Sequence, residues 1–581
     1  MKDLVKAAND QLNELILNAL GHAVGEGELP AEPIPAFSIQ IPADKSHGDF
    51  AANVAMVSAR AFKMPPRKIA ETICKHLVLE GSYFERAEIA GAGFLNFFLS
   101  HRWFEETLLA VAEEGEEYGR SDYGKGQKVM VEFVSANPTG PMHIGNARGG
   151  VIGDTLAAVL DHAGYNVTRE FYVNDAGNQI NKFAISLDVR YLQLFKGAEA
   201  VPLPEDAYQG ADIIEHAKAF AAIHGDSFVD KPEEERRKAL VDYALPLNVA
   251  GLKRDLSRYG IEYDVWFRES TLHESGAVKE AIDKLTERGY TYEKEGAVWY
   301  KNAEVLKEKL LRQGKSEQEI DKLELKDDVL IRANGTPTYF AADIAYHYNK
   351  FAVRGFDKVI NIWGADHHGH VARLKGAMDA IGLDGNKLDI VLMQLVRLMR
   401  DGETVRVSKR TGKSLTLTDL LDEVPVDAAR FFFNLREASS HFDFDLGLAV
   451  EQSSQNPVYY VQYAHARICS ILANLAAEQI KPEAPVKERL ALLTAPEEIE
   501  LIRFIAGFPN EIVDAAKNYD PSRMTRYATD LASLFHKFYN ACRVKCDDAD
   551  LMQARLSLCL AAKTVLSNLL HLLHISAPVT M

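Results

Sequence analysis

Hydrophobic and polar positions alternate with different periods along the chain and separate it into four regions. In residues 1 to about 110, helical spacing alternates with short strand-like runs, which predicts a small α+β domain. The patterns are helical at 2–20 and 67–77 and strand-like at 37–42 and 93–99. The first of them mixes charges with apolar positions and so indicates an amphipathic helix, not a signal peptide. A charged, glycine-rich stretch at 113–127 follows as an expected linker.

The second region repeats a pattern of strand, turn, helix and strand. An apolar run at 128–136 predicts a buried strand, residues 146–163 have helical spacing, and 166–175 predicts a second strand. After a helix-rich interval at about 176–300, another strand is expected within 356–370, where it ends in a polar loop. Strand, helix and strand in this order form the βαβ unit of a doubly wound parallel sheet.

A hairpin and a long helical region complete the pattern. Residues 398–414 predict a hairpin around Asp401-Gly402 that runs into a basic loop. From about residue 420 onward, nearly every segment has helical spacing, which predicts a helical bundle. The expected fold is a multidomain α/β protein with a Rossmann-like, doubly wound parallel-sheet domain, a small α+β N-terminal domain and an α-helical-bundle C-terminal domain. The predicted domains are 1–115, 116–420, 421–455 as a stem, and 456–581.

Composition narrows the class of protein. A chain of 581 residues is too long for one hydrophobic core, and no apolar run reaches the roughly 18 residues that would predict a membrane span. Five scattered cysteines favour structural thiols over a zinc site and fit a reducing cytoplasm. The net charge of −17 argues against nucleic-acid binding, but residues 456–581 hold 13 basic and 13 acidic side chains. RNA binding through local basic patches therefore stays open, and the acidic remainder of the chain suits a cationic small substrate.

A stiff turn, NPTGPMHIGNARGG (137–150), follows the first predicted sheet strand. Parallel sheets bind ligands at the carboxyl ends of their strands, where helix N-termini present unpaired N–H groups. The turn lacks both the G-x-x-x-x-G-K-[ST] and the G-x-G-x-x-G phosphate loops. It places His143 at the mouth, Gly145 where a flat ring can approach the backbone, and Asn146 at the start of a helix. The alternative is a simple helix cap, with Asn146 as N-cap and His143 solvated.

A basic loop, Arg406–Arg410 with Lys413 just beyond, begins 263 residues after His143. Such a loop can close over a polyphosphate and neutralise charge that develops on a pyrophosphate leaving group. Taken alone, it can equally be a solvated charged loop. The two elements in this order within one doubly wound fold are more specific than either element alone.

These stretches resemble the class I aminoacyl-tRNA synthetases. His143–Asn146 is similar to the HIGH signature and Arg406–Arg410 to the KMSKS signature. Two positions depart from them: Asn146 replaces the last His and cannot carry charge, and Arg406-Val407 replaces Lys-Met, whereas Lys409 is present. Longer matches narrow the resemblance to the arginyl-tRNA synthetases: EFVSANPTGPMHIGNARG (132–149), YVNDAGNQI (172–180), TPTYFAADIAYH (336–347), NPVYYVQYAHARI (456–468) and, for the family's N-terminal domain, KSHGDFAANVA (45–55) and GAGFLNFFL (91–99).

The resemblance implies ATP-dependent attachment of L-arginine to tRNA(Arg) through arginyl-adenylate. ATP would bring Mg²⁺ with it, no tightly bound metal is expected, and tRNA would be needed even for the first step. The implied catalytic residues are His143, Asn146 and Lys409. The implied ATP-binding residues are His143, Gly145, Asn146, Asp366, His367, His370, Ser408 and Lys409. From the residues alone, the histidines of GADHHGH (364–370) could instead hold a metal.

Arginine as the substrate also follows from charge, because a guanidinium group is best recognised by carboxylates in a dry pocket. Glu132 lies at the end of the first sheet strand, and Asp343 follows Tyr339 by one turn if that segment is helical. The alternative for Asp343 is a surface carboxylate near Arg332 or Lys350. The resemblance implies that arginine is bound by Glu132, Ser135, Asn137, Tyr339 and Asp343.

RNA contacts are expected on both flanking domains. Tyr459, Tyr463 and Arg467, with Tyr460 between them, can stack on unpaired bases, although the same spacing also suits a helix core. The N-terminal domain resembles the module that reads the tRNA elbow, with Asn96 and Phe97 as candidates. The resemblance further suggests a cytoplasmic monomer.

Two other classes of function remain open. A small-molecule adenylyltransferase would share both loops but usually lacks a long helical C-terminal domain. A non-catalytic RNA-binding homologue would be expected to lose His143 or Lys409, and both are present.

Overall fold

The N-terminal region is a four-stranded antiparallel sheet covered by helices. In the computed structural model, which describes residues 3–405 and 415–581, its strands are ordered β1-β2-β4-β3. The first helix begins after Asp3, whose carboxylate caps it by accepting from the Lys6 N–H. The elements are α1 (Leu4–Gly25), β1 (Ile39–Gln40), β2 (Phe50–Ala52), α2 (Val54–Phe62), α3 (Pro66–His76), β3 (Phe84–Ala90), β4 (Phe94–Leu99) and α4 (His101–Glu114).

The central region contains a five-stranded parallel sheet, which confirms the predicted doubly wound architecture. Its order is β12-β11-β5-β6-β7, and every neighbouring pair is parallel. The two edge strands, β7 and β12, were not predicted. The sheet and its flanking helices comprise β5 (Lys128–Glu132), α5 (Gly145–His162), β6 (Asn166–Val173), β7 (Val265–Arg268), β11 (Lys358–Gly364), α14 (His368–Ile381) and β12 (Leu388–Met393).

Two insertions interrupt this sheet. The first is helical, has a small apolar core of its own around Phe183, Tyr191 and Phe220, and comprises α6 (Gly177–Lys196), α7 (Ala211–His224) and α8 (Glu233–Arg258). The second surrounds an antiparallel sheet ordered β10-β9-β8. It comprises α9 (Ser270–Glu274), α10 (Ala277–Glu287), β8 (Thr291–Lys294), β9 (Ala297–Tyr300), α11 (Asn302–Arg312), α12 (Glu317–Asp321), β10 (Asp328–Ile331), α13 (Tyr339–Tyr348) and a π-helical turn (Asn349–Val353).

The predicted hairpin is present as β13 (Val396–Arg400) and β14 (Glu403–Thr404). Its two turn residues, Asp401 and Gly402, have φ of 52° and 80°, as the Asp-Gly pair predicted. β13 also pairs with β15 (Phe442–Asp445), so the hairpin belongs to a second small sheet. The remainder of the predicted hairpin and its basic loop, 406–414, lies outside the described residues.

The C-terminal part of the chain is helical, as predicted. Its elements are α15 (Leu417–Glu423), α16 (Val426–Phe433), α17 (Leu446–Val450), α18 (Pro457–Ala477), α19 (Lys487–Leu490), α20 (Pro496–Ala506), α21 (Phe508–Asn518), α22 (Ser522–Ala541) and α23 (Ala549–Leu572). Among the described residues, no helix combines the length and apolar character that crossing a membrane requires.

Helix α5 lies at the centre of the molecule and is buried from Ala147 to Leu160. It packs against β5 and β6 of the sheet and against α16, α21 and α23 of the C-terminal region. A parallel sheet needs helices on its faces, and α5 covers one part of this sheet. The helices of the C-terminal region cover the other side of α5. The start of α5 is therefore held by both regions.

A buried charge in the middle of α5 joins these regions. Asp154 accepts from Arg430 Nη2 and His574 Nδ1, each at 2.6 Å, and from Arg169 Nε at 3.2 Å. Arg430 is itself fully buried and donates from Nε to the Leu573 carbonyl at 2.9 Å. Burial alone would raise the pKa of Asp154, but the His574 bond and the nearby positive charges outweigh it and lower that pKa to about 2.

We predict that Asp154→Asn lowers the free energy of unfolding by about 3–5 kcal/mol, because it leaves buried guanidinium groups without a counter-charge. Since the folded pKa is depressed, this contribution is present above the ordinary value of 3.8 and is lost as the pH falls toward about 2. Urea titrations of both proteins at pH 7 and pH 3 measure the difference. Asp10→Asn is the control, because the Asp10–Lys6 pair is exposed and its loss should leave the unfolding midpoint unchanged. A loss below about 1 kcal/mol for Asp154→Asn contradicts this account.

Candidate active site

The chain leaves β5 through two residues in the left-handed region, Val134 (φ 68°) and Ser135 (φ 46°). Positive φ is a true outlier for a β-branched residue and costs roughly 1–3 kcal/mol. The Ser135 hydroxyl holds this conformation, because it donates to Glu132 Oε1 at 2.9 Å and accepts from the Tyr172 N–H at 3.2 Å. The ends of β5 and β6 are thereby tied together at the carboxyl edge of the sheet.

The turn that follows leads into α5, which begins before Asn146, so Asn146 is not its N-cap. The helix begins at Gly145 after Ile144, whose backbone is already helical. The Asn146 N–H donates to the His143 carbonyl at 3.0 Å. The alternative of a simple cap with Asn146 as N-cap is therefore wrong, since Asn146 lies inside the first turn.

His143 is exposed at the mouth of the site and fixed through its neighbours. The Gly145 N–H donates to His143 Nδ1 at 3.3 Å, so the neutral ring carries its proton on Nε2. Backbone bonding to Thr416 and its neighbours joins the turn to the chain that emerges from 406–414, and the Ile144 N–H donates to the Leu415 carbonyl at 3.1 Å. The turn is thus held against Leu415 and Thr416, which follow the second signature segment in the sequence. The predicted residues Ser408 and Lys409 lie outside the described residues.

A cavity of about 660 Å³ opens beside this turn. The turn that lines it is held to α8, because the Asn248 amide donates to the Pro138 carbonyl at 3.0 Å. The polar side chains that line it include Asn137, His143, Tyr208, Asp212 and Thr416.

Tyr339 and Asp343 lie one turn apart on α13, as their spacing predicted. Tyr339 is 68% exposed, whereas Asp343 accepts from His370 Nε2 at 2.8 Å. His370 Nδ1 in turn accepts from Arg373 Nε at 2.8 Å. Both ring nitrogens of His370 are therefore occupied by protein groups. His370 therefore supports Asp343 in this structure, and its role as an ATP ligand stays a prediction.

Glu132 is buried and paired with a lysine. Lys350 Nζ lies 2.5 Å from Glu132 Oε2, and the lysine sits in the π-helical turn directly after α13. Lys350 was considered as a neighbour of Asp343, but the partner of Asp343 is His370. A second buried carboxylate, Glu170, forms a bidentate pair with Arg354.

Glu269 was missed by the sequence reasoning. It follows β7 directly, is 6% exposed, and has His273 Nε2 at 3.3 Å from its Oε1. Burial raises the pKa of its carboxyl group, and the charge of Asp343 adds to that shift. The pKa of Tyr172 is also raised, first by burial and then by the nearby carboxylates of Glu269 and Asp343. These three neighbouring side chains are called the acidic pocket below. The one sequence signal for Glu269 is a carboxylate straight after the short run VWFR (265–268).

The remaining predicted small-molecule ligands reach the same edge. Asn137 is exposed. The Asn174 amide is oriented so that its nitrogen donates to Glu269 Oε2, and its oxygen then lies 3.2 Å from the Asn137 amide. Asp366 and His367 stand in the turn after β11, and both side chains are exposed.

The C-terminal helices present an aromatic and cationic cluster. The rings of Tyr459 and Tyr463 are parallel within 5° at a centroid distance of 6.4 Å, and Tyr463 is exposed. Arg467 lies 4.5 Å above the Tyr539 ring, and its Nη1 is 3.3 Å from His536 Nδ1. The expectation of surface-accessible rings fits this arrangement better than the alternative of a helix core.

The two predicted RNA-contact residues of β4 lie in the interior of the N-terminal domain, and their contact with RNA stays a prediction. Asn96 and Phe97 are both buried, and the Phe97 ring packs edge-on against Phe84. Phe98, one residue further on, faces outward, with the Arg86 guanidinium 3.5 Å above its ring. Phe97 and Phe98 face opposite sides of the strand, whereas Asn96 shares the side of Phe98 and is nevertheless buried.

Close packing of α5 against β5 requires glycine at position 153. A Cβ there would lie 2.2 Å from Phe133 Cγ, although Gly→Ala in a helix is ordinarily favourable. We predict that Gly153→Ala lowers the free energy of unfolding by about 1–3 kcal/mol through overpacking. Gly21→Ala, in α1 with nothing within 4 Å of the new methyl group, is the matched control and should raise stability slightly. Denaturant titration decides this, and a stabilised Gly153→Ala protein would contradict the packing.

Comparisons with known families cover most of the chain. Residues 108–440 match the catalytic domain of class I tRNA synthetases (R), residues 10–99 the arginyl tRNA synthetase N-terminal domain, and residues 461–581 the DALR anticodon binding domain. The domain boundaries predicted above stay predictions, since these matches do not define where each domain ends.

Similar proteins match along their full length. The chain is 55% identical to an arginine–tRNA ligase of Caldanaerobacter subterraneus subsp. tengcongensis over 581 residues and 53% identical to one of Ruminiclostridium cellulolyticum, with 100% of each chain covered. The structure of Thermus thermophilus arginyl-tRNA synthetase superposes with a TM-score of 0.70 at 21% identity, covering 99% of this chain and 100% of that one, which supports the fold. With the signature turn at the edge of a parallel sheet and these full-length relatives, the chain belongs to the arginyl-tRNA synthetase family.

Proposed function

We propose that this chain attaches L-arginine to tRNA(Arg) in two steps, by way of arginyl-adenylate. The observation that carries the proposal is the acidic pocket beside the signature turn. Among the described residues, the ion-pair partners of Asp343 and Glu269 are His370 and His273, not lysine or arginine. The guanidinium of the substrate can supply the permanent positive charge that these carboxylates do not receive from the protein.

In the first step, a carboxylate oxygen of arginine attacks the α-phosphorus of ATP in line. The new oxygen–phosphorus bond forms as the bond to the bridging oxygen breaks, and pyrophosphate leaves as its Mg²⁺ complex. His143 Nε2–H would donate to a phosphate oxygen, while Lys409 of the basic loop would balance charge on the leaving group. Asn146 can donate a hydrogen bond but no charge.

In the second step, a ribose hydroxyl at the tRNA 3′ end attacks the carbonyl carbon of the adenylate and releases AMP. The Tyr459–Tyr463 surface would stack on unpaired anticodon bases, with Arg467 alongside. The Phe98–Arg86 pair offers a second stacking surface on the N-terminal domain. Asp366 and His367, exposed at the strand ends, would contact ATP.

We further propose that the protein works in the cytoplasm as a monomer. The five cysteines lie within the described residues and are all free thiols, which fits a reducing compartment.

ATP–pyrophosphate exchange, measured with each amino acid in the presence and absence of tRNA, tests the proposal. We expect exchange with arginine and tRNA together. Exchange with glutamate or cysteine but not arginine would overturn the assignment. Exchange with arginine at full speed without tRNA would refute the tRNA requirement alone, and an acid–amine ligation without transfer to tRNA would favour a small-molecule adenylyltransferase.

Asp343→Asn should raise the KM for arginine by about tenfold or more, because the amide keeps the shape of the carboxylate but loses its charge. The KM for ATP should stay the same, which steady-state exchange at varied arginine and ATP concentrations can measure. Asp283→Asn is the control, since that carboxylate belongs to an exposed helical pair with Lys279. Equal increases in the KM values for arginine and ATP would mean that Asp343 supports the fold and does not bind arginine.

A further inference from the structure

Four carboxylates surround Tyr172 and Tyr346, and they divide into two kinds. Glu132 and Glu170 are paired with the permanent cations Lys350 and Arg354. Asp343 and Glu269, as described above, are paired with histidines. The protein therefore cancels the charge of two of its pocket carboxylates with side chains of its own.

The ammonium group of Lys350 is buried and contacts three side chains. Its side chain is 0% exposed, and Nζ contacts Glu132 Oε2 at 2.5 Å and Asn361 Oδ1 at 3.2 Å. The same atom lies 4.0 Å from the centre of the Tyr346 ring, a cation–π distance. Asn361 is itself fixed, since its Nδ2 lies 3.1 Å from His347 Nε2. An ammonium with three such partners and no exposed surface stays in the pocket when substrate arrives.

The backbone around Lys350 is also specialised. Lys350 lies in the π-helical turn Asn349–Val353 that directly continues α13. Such turns are rare, occur mostly inside α-helices, and are frequent at functional sites. Lys350 is therefore joined through a continuous helical segment to the helix that carries Asp343.

We propose that Lys350 is the positioning residue of the arginine pocket, because it fixes the carboxylate of Glu132 and cancels its charge. Glu132 then presents hydrogen-bond acceptors to the substrate in fixed directions, without adding net negative charge. This inference rests on the proposed function and adds to it a residue that acts only through Glu132. Each oxygen of Glu132 has one protein donor, Ser135 on Oε1 and Lys350 on Oε2. Each oxygen keeps a further acceptor position, because a carboxylate offers about four.

The division of charge has a consequence for affinity. A buried carboxylate without a counter-ion would either take up a proton or turn toward another donor, and both would disturb the acceptor geometry. With Lys350 present, one substrate guanidinium meets Asp343 and Glu269, while Glu132 orients a substrate N–H group.

A double-mutant cycle on the full chain with tRNA(Arg) tests the inference. We expect Lys350→Met to raise the KM for arginine by about tenfold or more and to leave the KM for ATP within about twofold. In a Glu132→Gln background, Lys350→Met should change the KM for arginine by less than about twofold, because the residue through which it acts no longer carries charge. Steady-state ATP–pyrophosphate exchange provides both constants.

Arg236→Met is the matched control. It breaks a buried pair with Asp188 inside the helical insertion, without contact to Glu132 or the other pocket carboxylates. It should lower the Tm much as Lys350→Met does, yet leave the KM for arginine within about twofold of the unchanged protein.

Several outcomes would overturn the inference. These are an unchanged KM for arginine in Lys350→Met, an equal effect of Lys350→Met in both backgrounds, or equal increases in the KM values for arginine and ATP. If Lys350→Met does not fold, Lys350→Arg replaces it in both backgrounds, because it keeps the buried positive charge but changes the position of the donor next to Glu132. An unchanged KM for arginine in Lys350→Arg would then overturn the inference. Failure of the unchanged protein to exchange with arginine would refute the proposed function, not the role of Lys350.

Discussion

The packing of this molecule depends on the removal of one negative charge from water. Asp154 lies in the middle of a helix that is buried on every side, and its cost is offset by guanidinium groups from β6 and α16 and by His574 after α23. These partners come from three separate parts of the chain, so none of them can shift without leaving a buried charge unmatched. The helix that this cluster holds begins at Gly145, and its first turn carries the residues of the signature turn. The position of the signature turn thus depends on the packing around Asp154, about two helical turns away.

Buried negative charges are also compensated by neighbouring side chains at the carboxyl edge of the sheet. Among the four carboxylates near Tyr172 and Tyr346, Glu132 and Glu170 are paired with a lysine and an arginine, and Asp343 and Glu269 with histidines. The strained Val134-Ser135 turn survives because the Ser135 hydroxyl joins Glu132 to β6. Binding of a cationic substrate then requires no large rearrangement of the protein charges, which limits the reorganisation cost of association.

Local patterns in the sequence predict those parts of the structure that depend on local interactions. The apolar run before the turn forms β5, and the spacing of Tyr339 and Asp343 places both on one helix. The Asp-Gly pair forms the turn of the hairpin. Short edge strands such as β7 were missed, because four residues give too little periodicity to separate a strand from a helix. Glu269 was missed with it, since a carboxylate after an unrecognised strand has no distinguishing neighbour.

Contacts between distant parts of the chain leave no such pattern. Lys350 and Glu132 are 218 residues apart. His370 was predicted to bind ATP from the family resemblance, and nothing in the local sequence indicates that Asp343 and Arg373 contact its two ring nitrogens. Phe97 and Phe98 differ by one position in β4, and both are aromatic, so only the pairing of the strands decides which ring is buried.

Charge distribution explains how an acidic chain can act on RNA. The excess of acid lies outside residues 456–581, where 13 basic and 13 acidic side chains balance. The proposed stacking of bases on Tyr459 and Tyr463 would release few counter-ions, because it does not require phosphate neutralisation. Recognition that relies on unpaired bases therefore tolerates a neutral surface, whereas duplex binding through phosphates would not. The acidic residues of the central region can then serve the cationic amino acid, and the two substrates place opposite electrostatic demands on two different parts of one chain.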